Sequence, residues 1–327
     1  MLSSHSFGQW HGYSDTIMGT AVRVELWHDK ALTAGRISTE VFNEIRRIEA
    51  LMSPLISSSE LSKINTIGAN QPVVITHELF QLLKISKHIS EISGGVFDVS
   101  FSSVGYLYDF RAKIKPTEQQ IKQLINKVDY RAIVMNEPAH TVSFTHSGMK
   151  LDLGGIAKGY AVDQAIELLS SHGVAHAIVT AGGDSRVLGD HRGRDWIVGI
   201  QAPRNRSATA TAVPLSNTAI STSGDYERFF IDNGVRFHHI INPKTGDSAR
   251  AVQSASVIGP QATITDALST TVFILGVERG IALIETLEGY DAILIDQQAK
   301  LYFSSGLMPA SAPVIAKPKE NSKNPSQ

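Results

Sequence analysis

The stretch KLDLGGIAKGYAVDQAIELL, residues 150–169, joins an apolar run to a run with helical periodicity through two glycines, a lysine and a third glycine. Glycines let backbone N–H groups approach an anion, and the N-terminus of the following helix adds partial positive charge beside the full charge of Lys158. The spacing matches neither the Walker A motif nor the GxGxxG fingerprint. Two interpretations stay open, a phosphate-binding turn or a plain bend from strand to helix. For Asp152 we expect a helix-capping role before a ligand contact.

Segments with strand and helix periodicity alternate on both sides of this stretch. Strands are predicted at residues 18–28, 131–136, 141–145, 175–180, 195–201 and 291–296. Helices are predicted at residues 34–51, 77–92, 116–127, 160–172, 266–275 and 278–286. The Ser-rich segment 52–65 is typical of a loop with a cap before a short helical turn. This mixture of strand pairs and single helices predicts an α/β or α+β fold.

The body of the chain shows no break in composition that would mark a linker. We therefore predict a single domain over residues 1–316, built from two intertwined subdomains. The last stretch, KPKENSKNPSQ at residues 317–327, is polar, contains proline and has almost no apolar groups. This composition predicts a disordered tail.

Composition excludes several classes of function. With 30 Lys+Arg against 31 Asp+Glu the formal net charge is -1, so we expect no nucleic-acid partner. The chain has no cysteine, which excludes thiol catalysis, cysteine-ligated metal centres and disulfides. No run approaches the roughly 20 apolar residues of a membrane helix. The N-terminus lacks the pattern of a secretory signal, so we expect a cytoplasmic protein as written, or a periplasmic one if the chain is a processed form.

The segment GPQATITDALSTTVFILG, residues 259–276, carries three oxygen-bearing side chains on one helical face. Asp266, Ser269 and Thr270 are spaced i, i+3 and i+4, which brings them together within one turn. A carboxylate and hydroxyls in this arrangement suit a hard cation such as Mg²⁺. The alternative is a helix start whose hydroxyls bond back to the backbone.

A third polar segment, residues 221–246, reads STSGDYERFFIDNGVRFHHIINPKTG. Its first eight residues predict a turn, and RFHHIINP predicts a strand that ends in a Pro-Lys-Thr-Gly turn. His238 and His239 would point to opposite faces of that strand, so at most one is expected to reach a given site. A histidine near a phosphate could accept a proton from an attacking hydroxyl. The segment AGGDSRVLG, residues 181–189, adds another glycine pair, followed by Asp184.

Taken together and in order, these segments resemble the ApbE family of FAD:protein FMN transferases. The resemblance covers nearly the whole chain outside the extreme N-terminus and the tail. It rests on MGT (18–20), MSPLISSSELSKIN (52–65), GGVFDVSFSSVGYLYDF (94–110), LDLGGIAKGYAVD (151–163), AGGD (181–184), STSGDYER (221–228), HIINPKTG (239–246) and TDALSTTVF (265–273). It implies a fold with mixed, largely antiparallel sheets flanked by helices.

The resemblance also implies a reaction, the Mg²⁺-dependent transfer of FMN from FAD to a Thr or Ser hydroxyl of a target flavoprotein, with release of AMP. Such phosphoryl transfer depends on positioning and charge neutralisation. Two alternatives stay open. Some members of the family instead hydrolyse FAD to FMN and AMP, and a chain of this kind could also be a flavin-binding module without catalysis.

Residue roles follow from the same resemblance. The metal ligands would be Asp266, Thr270 and the backbone carbonyl of Gly155, with Ser269 beside them, and His239 would be the base that activates the acceptor. The implied FAD contacts are Met18, Phe97, Asp98, Asp152, Lys158, Asp184 and Ile240.

The chain departs from the family pattern at two positions. Asn242 stands where an Asp is common, and Leu55 stands where an aromatic residue often precedes the SELS segment. Loss of a ring that stacks on the flavin would weaken binding or alter the acceptor pocket. Because water and a protein hydroxyl compete for the same phosphorus, this second departure bears on the choice between transferase and hydrolase.

Overall fold

The computed structural model describes residues 8–308, so the tail predicted at 317–327 lies outside the described residues. The helices are α1 Ala31–Met52, α2 Glu60–Ile67, α3 His77–Ile92, α4 Ser102–Gly105, α5 Glu118–Leu124, α6 Ala157–Ser171, α7 Ala262–Leu275 and α8 Val277–Ile284. The strands are β1 Gln9–Ile17, β2 Thr20–His28, β3 Val73–Val74, β4 Ile133–Asn136, β5 Thr141–Phe144, β6 Ala177–Ala181, β7 Asp184–Leu188, β8 Trp196–Ala202, β9 Asn205–Leu215, β10 Ala219–Gly224, β11 Phe229–Asp232, β12 Val235–His238, β13 Val252–Gly259, β14 Asp291–Asp296 and β15 Leu301–Phe303. No helix among residues 8–308 is both long and apolar enough to cross a bilayer.

One large sheet organises the molecule. It has eight strands in the order β1-β2-β6-β7-β10-β13-β14-β15, and each neighbouring pair runs antiparallel. A second sheet, β3-β5-β4, and the hairpins β8-β9 and β11-β12 are antiparallel as well. Antiparallel sheets with helices make this an α+β fold, which agrees with the predicted class. The division into two intertwined subdomains stays a prediction.

The large sheet is covered on both faces. Alternating residues of β2, such as Val22 and Val24, join the main core with Ile37 and Val41 of α1, and α6 and α7 pack on the same face. On the opposite face Ile220 and other strand residues pack against Trp196 and its neighbours in the β8-β9 hairpin. Each fully buried Val, Leu or Ile stabilises the fold by about 1.5–3 kcal/mol. The candidate site lies at one end of these packed strands.

Two predictions about the polar segment 221–246 are wrong. Residues 221–224 form the end of β10 and are not part of a turn, because their backbone pairs with β13. The hydroxyls of residues 221–223 are also paired with hydroxyls of β13 and α7. The predicted strand through HHIINP ends at His238, and the chain then turns to place Asn242 in a tight turn. Small polar residues predict turns when only local sequence is considered, and the tertiary partners decide otherwise here.

Candidate active site

Three tight turns meet at one end of the large sheet. Met18 and Gly19 make the two-residue turn between β1 and β2, with φ of 53° and 68°. Positive φ at both positions is typical of a type I′ hairpin turn, and it is uncommon for a methionine. A Cβ on Gly19 would lie 3.2 Å from Arg228 Nη2, and a Cβ on Gly182, in the turn between β6 and β7, would lie 2.8 Å from Thr20 Oγ1. Arg228 belongs to the third turn, residues 225–228 after β10, so these contacts bring the three turns side by side.

The third glycine of the GGxxKG pattern is a packing residue between two helices. A Cβ on Gly159 would lie 2.1 Å from the carbonyl oxygen of Ala262 and 2.8 Å from Cβ of Asp266, so no side chain fits there. Gly159 donates its backbone N–H to Asp266 Oδ2 at 3.0 Å. The missing side chain therefore lets the start of α6 lie directly against the first turns of α7.

The hydrogen bond from Gly159 to Asp266 leaves the backbone carbonyl of Gly155 without its usual helical donor. In a regular helix the N–H of Gly159 would bond to the carbonyl of Gly155, four residues earlier. Here that N–H is used by Asp266, and no other described residue donates to the Gly155 carbonyl. A Cβ on Gly155 would lie 3.4 Å from Thr270 Oγ1 and 3.4 Å from Cε2 of Phe97, so both side chains are its neighbours.

Lys158 joins two buried carboxylates. Its Nζ lies 2.6 Å from Asp184 Oδ2 and 3.4 Å from both carboxylate oxygens of Asp266. Burial alone lowers the pKa of Lys158, but the two carboxylates outweigh it and the net pKa is raised. Lys158 therefore stays charged, and both predicted residues, Lys158 and Asp184, lie beside Asp266 as one cluster.

Asp266 is the most strongly perturbed carboxylate of this cluster. It is 3% exposed, and burial followed by the negative charge of Asp184 raises its pKa to about 7, although Lys158 and the N–H of Gly159 oppose this shift. A carboxylate with so little solvation is stabilised by a further cation. No group of three His, Cys, Asp or Glu residues able to hold a metal occurs among residues 8–308, so a cation here would depend on hydroxyl, carbonyl and substrate oxygens as well.

The predicted hydroxyls of α7 occupy different positions in this network. Thr270 Oγ1 lies toward Gly155 and is 3.2 Å from Ser223 Oγ. Ser269 is fully buried, and its hydroxyl donates to the backbone oxygen of Asp266 at 2.9 Å and lies 2.9 Å from Ser223 Oγ. The helical spacing of the three side chains is confirmed. The bond from Ser269 to the backbone oxygen of Asp266 also matches the alternative in which helix hydroxyls bond back to the backbone.

The two adjacent histidines have different surroundings. His238 is buried, lies edge-on to Phe273 and has its Nε2 2.6 Å from the carbonyl of Ala249. His239 is half-buried, and its Nδ1 is buried without a hydrogen-bond partner among the described residues. Desolvation lowers the pKa of His239 to about 3, and the charges of Arg228 and Lys158 contribute. His239 is therefore neutral near pH 7 and able to accept a proton.

Several predicted FAD contacts already hold the local structure together. Asp98 is buried and accepts hydrogen bonds from Ser100 and from the N–H of Tyr130 at 2.9 Å, and burial raises its pKa. Asp152 accepts the N–H of Gly154 at 2.6 Å, so it stabilises the turn that lies just before α6. The prediction that Asp152 caps the helix itself is wrong. Desolvation raises the pKa of Asp152 while the charges of Arg228 and Lys158 oppose it. For Asp98 and Asp152, contact with FAD stays a prediction.

The remaining predictions concern backbone and surface positions. Ile240 is buried in the main core, and its backbone groups bond to His238 and Ala249. Asn242 accepts the N–H of Lys244 at 2.9 Å, a bond that an Asp would make equally well. Leu55 is 93% exposed, so its effect on flavin binding stays a prediction.

Sequence reasoning missed three residues of this region. Asp163 links α6 to the start of α7, Ser223 contacts the α7 hydroxyls, and the exposed Arg228 is near enough to act electrostatically on Asp152 and His239. All three lie within segments that carry the family resemblance, AVD and STSGDYER. Nothing in their residue types or local spacing indicated a role in the site, because each of them acts on a residue that is distant in sequence.

Known proteins resemble this chain in sequence and in fold. A model of the ApbE family matches residues 18–294. This chain belongs to the ApbE family. Its relatives include proteins named FAD:protein FMN transferase from Treponema pallidum, 32% identical over 90% of this chain and 87% of the relative, and from Klebsiella pneumoniae, 29% identical over 90% and 92%.

Solved ApbE structures share the fold. The ApbE protein of Thermotoga maritima has a TM-score of 0.84 at 30% identity and covers 91% of this chain and 98% of its own. The flavin transferase ApbE of Vibrio cholerae has a TM-score of 0.81 at 26% identity over 91% and 98%. The ApbE-like arrangement of antiparallel sheets and helices is therefore confirmed.

Proposed function

We propose that this chain transfers FMN from FAD to a Ser or Thr hydroxyl of a target flavoprotein, with Mg²⁺ as its cofactor and AMP as the second product. The observation that carries the proposal is the α6–α7 contact, where the desolvated carboxylate of Asp266 accepts the N–H of Gly159 and Thr270, one turn later, lies against Gly155, whose carbonyl has no donor among the described residues. Membership of the ApbE family and relatives named FAD:protein FMN transferase support it.

The residues fit a magnesium ion. Mg²⁺ takes oxygen ligands and keeps part of its shell for water and substrate phosphates. Asp266, Thr270 and the carbonyl of Gly155 would hold it. The pKa of Asp266 is raised by burial and by the negative charge of Asp184, and a bound cation would offset both effects. Bound there, Mg²⁺ would neutralise charge on the diphosphate of FAD.

The side chains of this protein account for the other requirements of the reaction. The acceptor oxygen forms a bond to the phosphorus on the FMN side of the diphosphate, the bond from that phosphorus to the bridging oxygen breaks, and AMP departs with that oxygen. The neutral imidazole of His239 receives the proton of the acceptor hydroxyl. A bound diphosphate raises the pKa of a nearby histidine, which makes His239 a better base when FAD is present.

Two cations would position the substrate. Lys158 stays charged at the start of α6, and Arg228 lies across from the Met18–Gly19 turn. Their charges suit the two phosphates of FAD, and they add to the burial that lowers the pKa of His239 and keeps it neutral. Neutralisation and positioning of this kind dominate phosphoryl transfer.

The proposal is tested with FAD, Mg²⁺ and a flavoprotein domain that carries a Ser/Thr acceptor motif. We expect flavin that stays on the acceptor after denaturation, together with one AMP for each flavin transferred. An acceptor in which the hydroxyl residue is replaced by alanine is the control. Intact FAD with either acceptor would overturn the proposal and favour a binding module.

Hydrolysis of FAD to FMN and AMP is the second candidate, and the exposed Leu55 favours it because no aromatic side chain stacks on a flavin there. Release of AMP without acceptor, with no flavin on protein, would make hydrolysis the correct assignment. Leu55→Tyr is the matched variant. If the missing ring favours water, this substitution raises the ratio of transferred to hydrolysed flavin.

A further inference from the structure

Two pairs of hydroxyls join β10 to α7. The first pair is Ser221 Oγ and Thr265 Oγ1 at 2.9 Å, and the second is Ser223 Oγ and Ser269 Oγ at 2.9 Å. The spacing of the two pairs follows from the periods of the strand and the helix, because residues two apart on a strand and four apart on a helix share a face. In each pair the helix hydroxyl donates to the backbone oxygen three residues earlier, at 3.2 Å for Thr265 and 2.9 Å for Ser269.

The second pair differs from the first by one added contact. Ser223 Oγ also lies 3.2 Å from Thr270 Oγ1. Within residues 8–308 this is the one hydrogen bond made by the Thr270 hydroxyl. The second pair is therefore connected through Thr270 to the proposed cation site. The first pair has the same hydrogen bonds but no contact with Thr270.

Counting protons fixes the direction of these bonds. A hydroxyl donates one hydrogen bond, and a carbonyl oxygen only accepts. Ser269 gives its proton to the carbonyl of Asp266, so Ser223 must donate to Ser269. The proton of Ser223 is then used, so Thr270 must donate to Ser223. The chain of donation runs from Thr270 through Ser223 and Ser269 to the backbone oxygen of Asp266.

We propose that Ser223 is a positioning residue that accepts the Thr270 proton and thereby leaves the lone pairs of Thr270 Oγ1 free for the cation. Ser269 acts as the next member of this relay, and its hydroxyl is not itself a metal ligand. A hydroxyl that binds a cation must direct its proton elsewhere, and partners that orient ligands typically change metal affinity by about 10- to 100-fold. This inference rests on the proposed magnesium site.

The test measures metal binding separately from turnover. Mn²⁺ is titrated into the FAD-free protein and the free ion is followed by electron paramagnetic resonance. We expect Ser223→Ala to bind Mn²⁺ about 10-fold more weakly than the wild type. Ser221→Ala removes the hydroxyl of the first pair, from the same strand and the same face, and is the matched control. It is expected to keep wild-type Mn²⁺ affinity, while both variants lose similar thermal stability.

A second variant keeps the test informative if Ser223→Ala loses stability. Ser223→Thr retains the hydroxyl and is expected to restore Mn²⁺ affinity to within about 3-fold of the wild type, less than the loss expected for an orienting partner. In the acceptor assay, Ser223→Ala should need more Mg²⁺ for half-maximal rate and regain most of its rate at saturating Mg²⁺.

The outcomes separate the inference from the function on which it rests. Equal Mn²⁺ affinity in Ser223→Ala and wild type overturns the relay and leaves the magnesium site intact. Equal weakening by Ser221→Ala and Ser223→Ala also overturns it, because the effect would then come from lost packing. If the wild type binds no Mn²⁺ without FAD, the titration of all variants is repeated with FAD added. Absence of Mn²⁺ binding in both states overturns the magnesium site itself, and the relay with it.

Discussion

Two buried carboxylates link α6 to α7: one belongs to α6 and binds α7, and the other belongs to α7 and binds α6. Asp163, on α6, accepts the backbone N–H groups of Ala262 and Thr263 at 2.9 and 2.8 Å, the Thr263 hydroxyl at 2.5 Å, and Arg186 at 2.7 Å. Asp266, on α7, accepts one N–H, that of Gly159, and has Lys158 at 3.4 Å. Both are less than 6% exposed, so burial does not distinguish them.

The difference lies in how far each carboxylate is satisfied. Four donors surround Asp163, and it caps the N-terminus of α7, where unpaired N–H groups and the helix dipole favour negative charge. Asp266 has fewer and longer contacts, and its pKa is raised to about 7. A saturated buried carboxylate contributes to folding, whereas an unsaturated one retains capacity for a ligand.

The adjacent histidines repeat this contrast. His238 has a partner for Nε2 in the carbonyl of Ala249 and packs on Phe273, while Nδ1 of His239 has no partner among the described residues. Satisfied polar groups should therefore affect stability when they are replaced, and unsatisfied ones should affect turnover. The predictions below test this division.

The largest effect is expected for Asp266→Asn. The amide can still accept the N–H of Gly159, but it cannot supply charge to a cation, so turnover should fall at least about 1000-fold, equivalent to about 4 kcal/mol. Transfer to the acceptor domain is measured at saturating Mg²⁺, with the melting temperature as the check on folding. Turnover that is undiminished would remove Asp266 from the metal site.

Asp163→Ala should act on stability. It leaves Arg186 and the first N–H groups of α7 without their partner, and breaking a buried pair of this kind costs about 3 kcal/mol or more of unfolding free energy. Urea unfolding provides the measurement. Glu137→Ala breaks the exposed ion pair with Lys84 and is the control, with a much smaller expected loss because solvent screens this pair. Equal losses in the two variants would contradict the structural role of Asp163.

His239→Gln should slow transfer about 100-fold, because a general base contributes at least that much. FAD affinity, measured by quenching of flavin fluorescence, should change little. His238→Gln is the comparison variant, and its main effect should be on the melting temperature. If His239→Gln weakens FAD binding as much as it slows transfer, the residue binds substrate and does not act as the base.

The smallest expected effect is a loss of unfolding free energy at acidic pH. Burial lowers the pKa of His238 to about 4, whereas the unfolded chain has a histidine pKa of about 6.5. Between these values the unfolded state binds more protons, so stability is full above about pH 6.5 and falls as the pH drops toward 4. Urea unfolding at pH 7 and pH 5.5 should show a loss of about 1 kcal/mol from this residue. His238→Gln should remove that part of the pH dependence, and an unchanged dependence would contradict it.

Local sequence predicted the elements that carry the site and not the contacts between them. The helical face of Asp266, Ser269 and Thr270 follows from spacing alone, and Ser59 caps α2 within the Ser-rich segment as predicted. The roles of Gly159 and Asp163 depend on α7, about a hundred residues later, which periodicity within one segment cannot reveal. The family resemblance supplied the grouping of residues that local patterns left separate.

The contact between Gly159 and Asp266 also bears on how the protein is made. These residues lie 107 positions apart, so the oxygen set cannot assemble until α7 has been synthesised and packed against the sheet. A partly synthesised or truncated chain that ends before α7 would lack this set of oxygens. Ligands that bind only the completed structure stabilise it in proportion to the logarithm of their concentration. If FAD and magnesium bind as proposed, their supply would add to the resistance of the finished chain to heat and proteolysis.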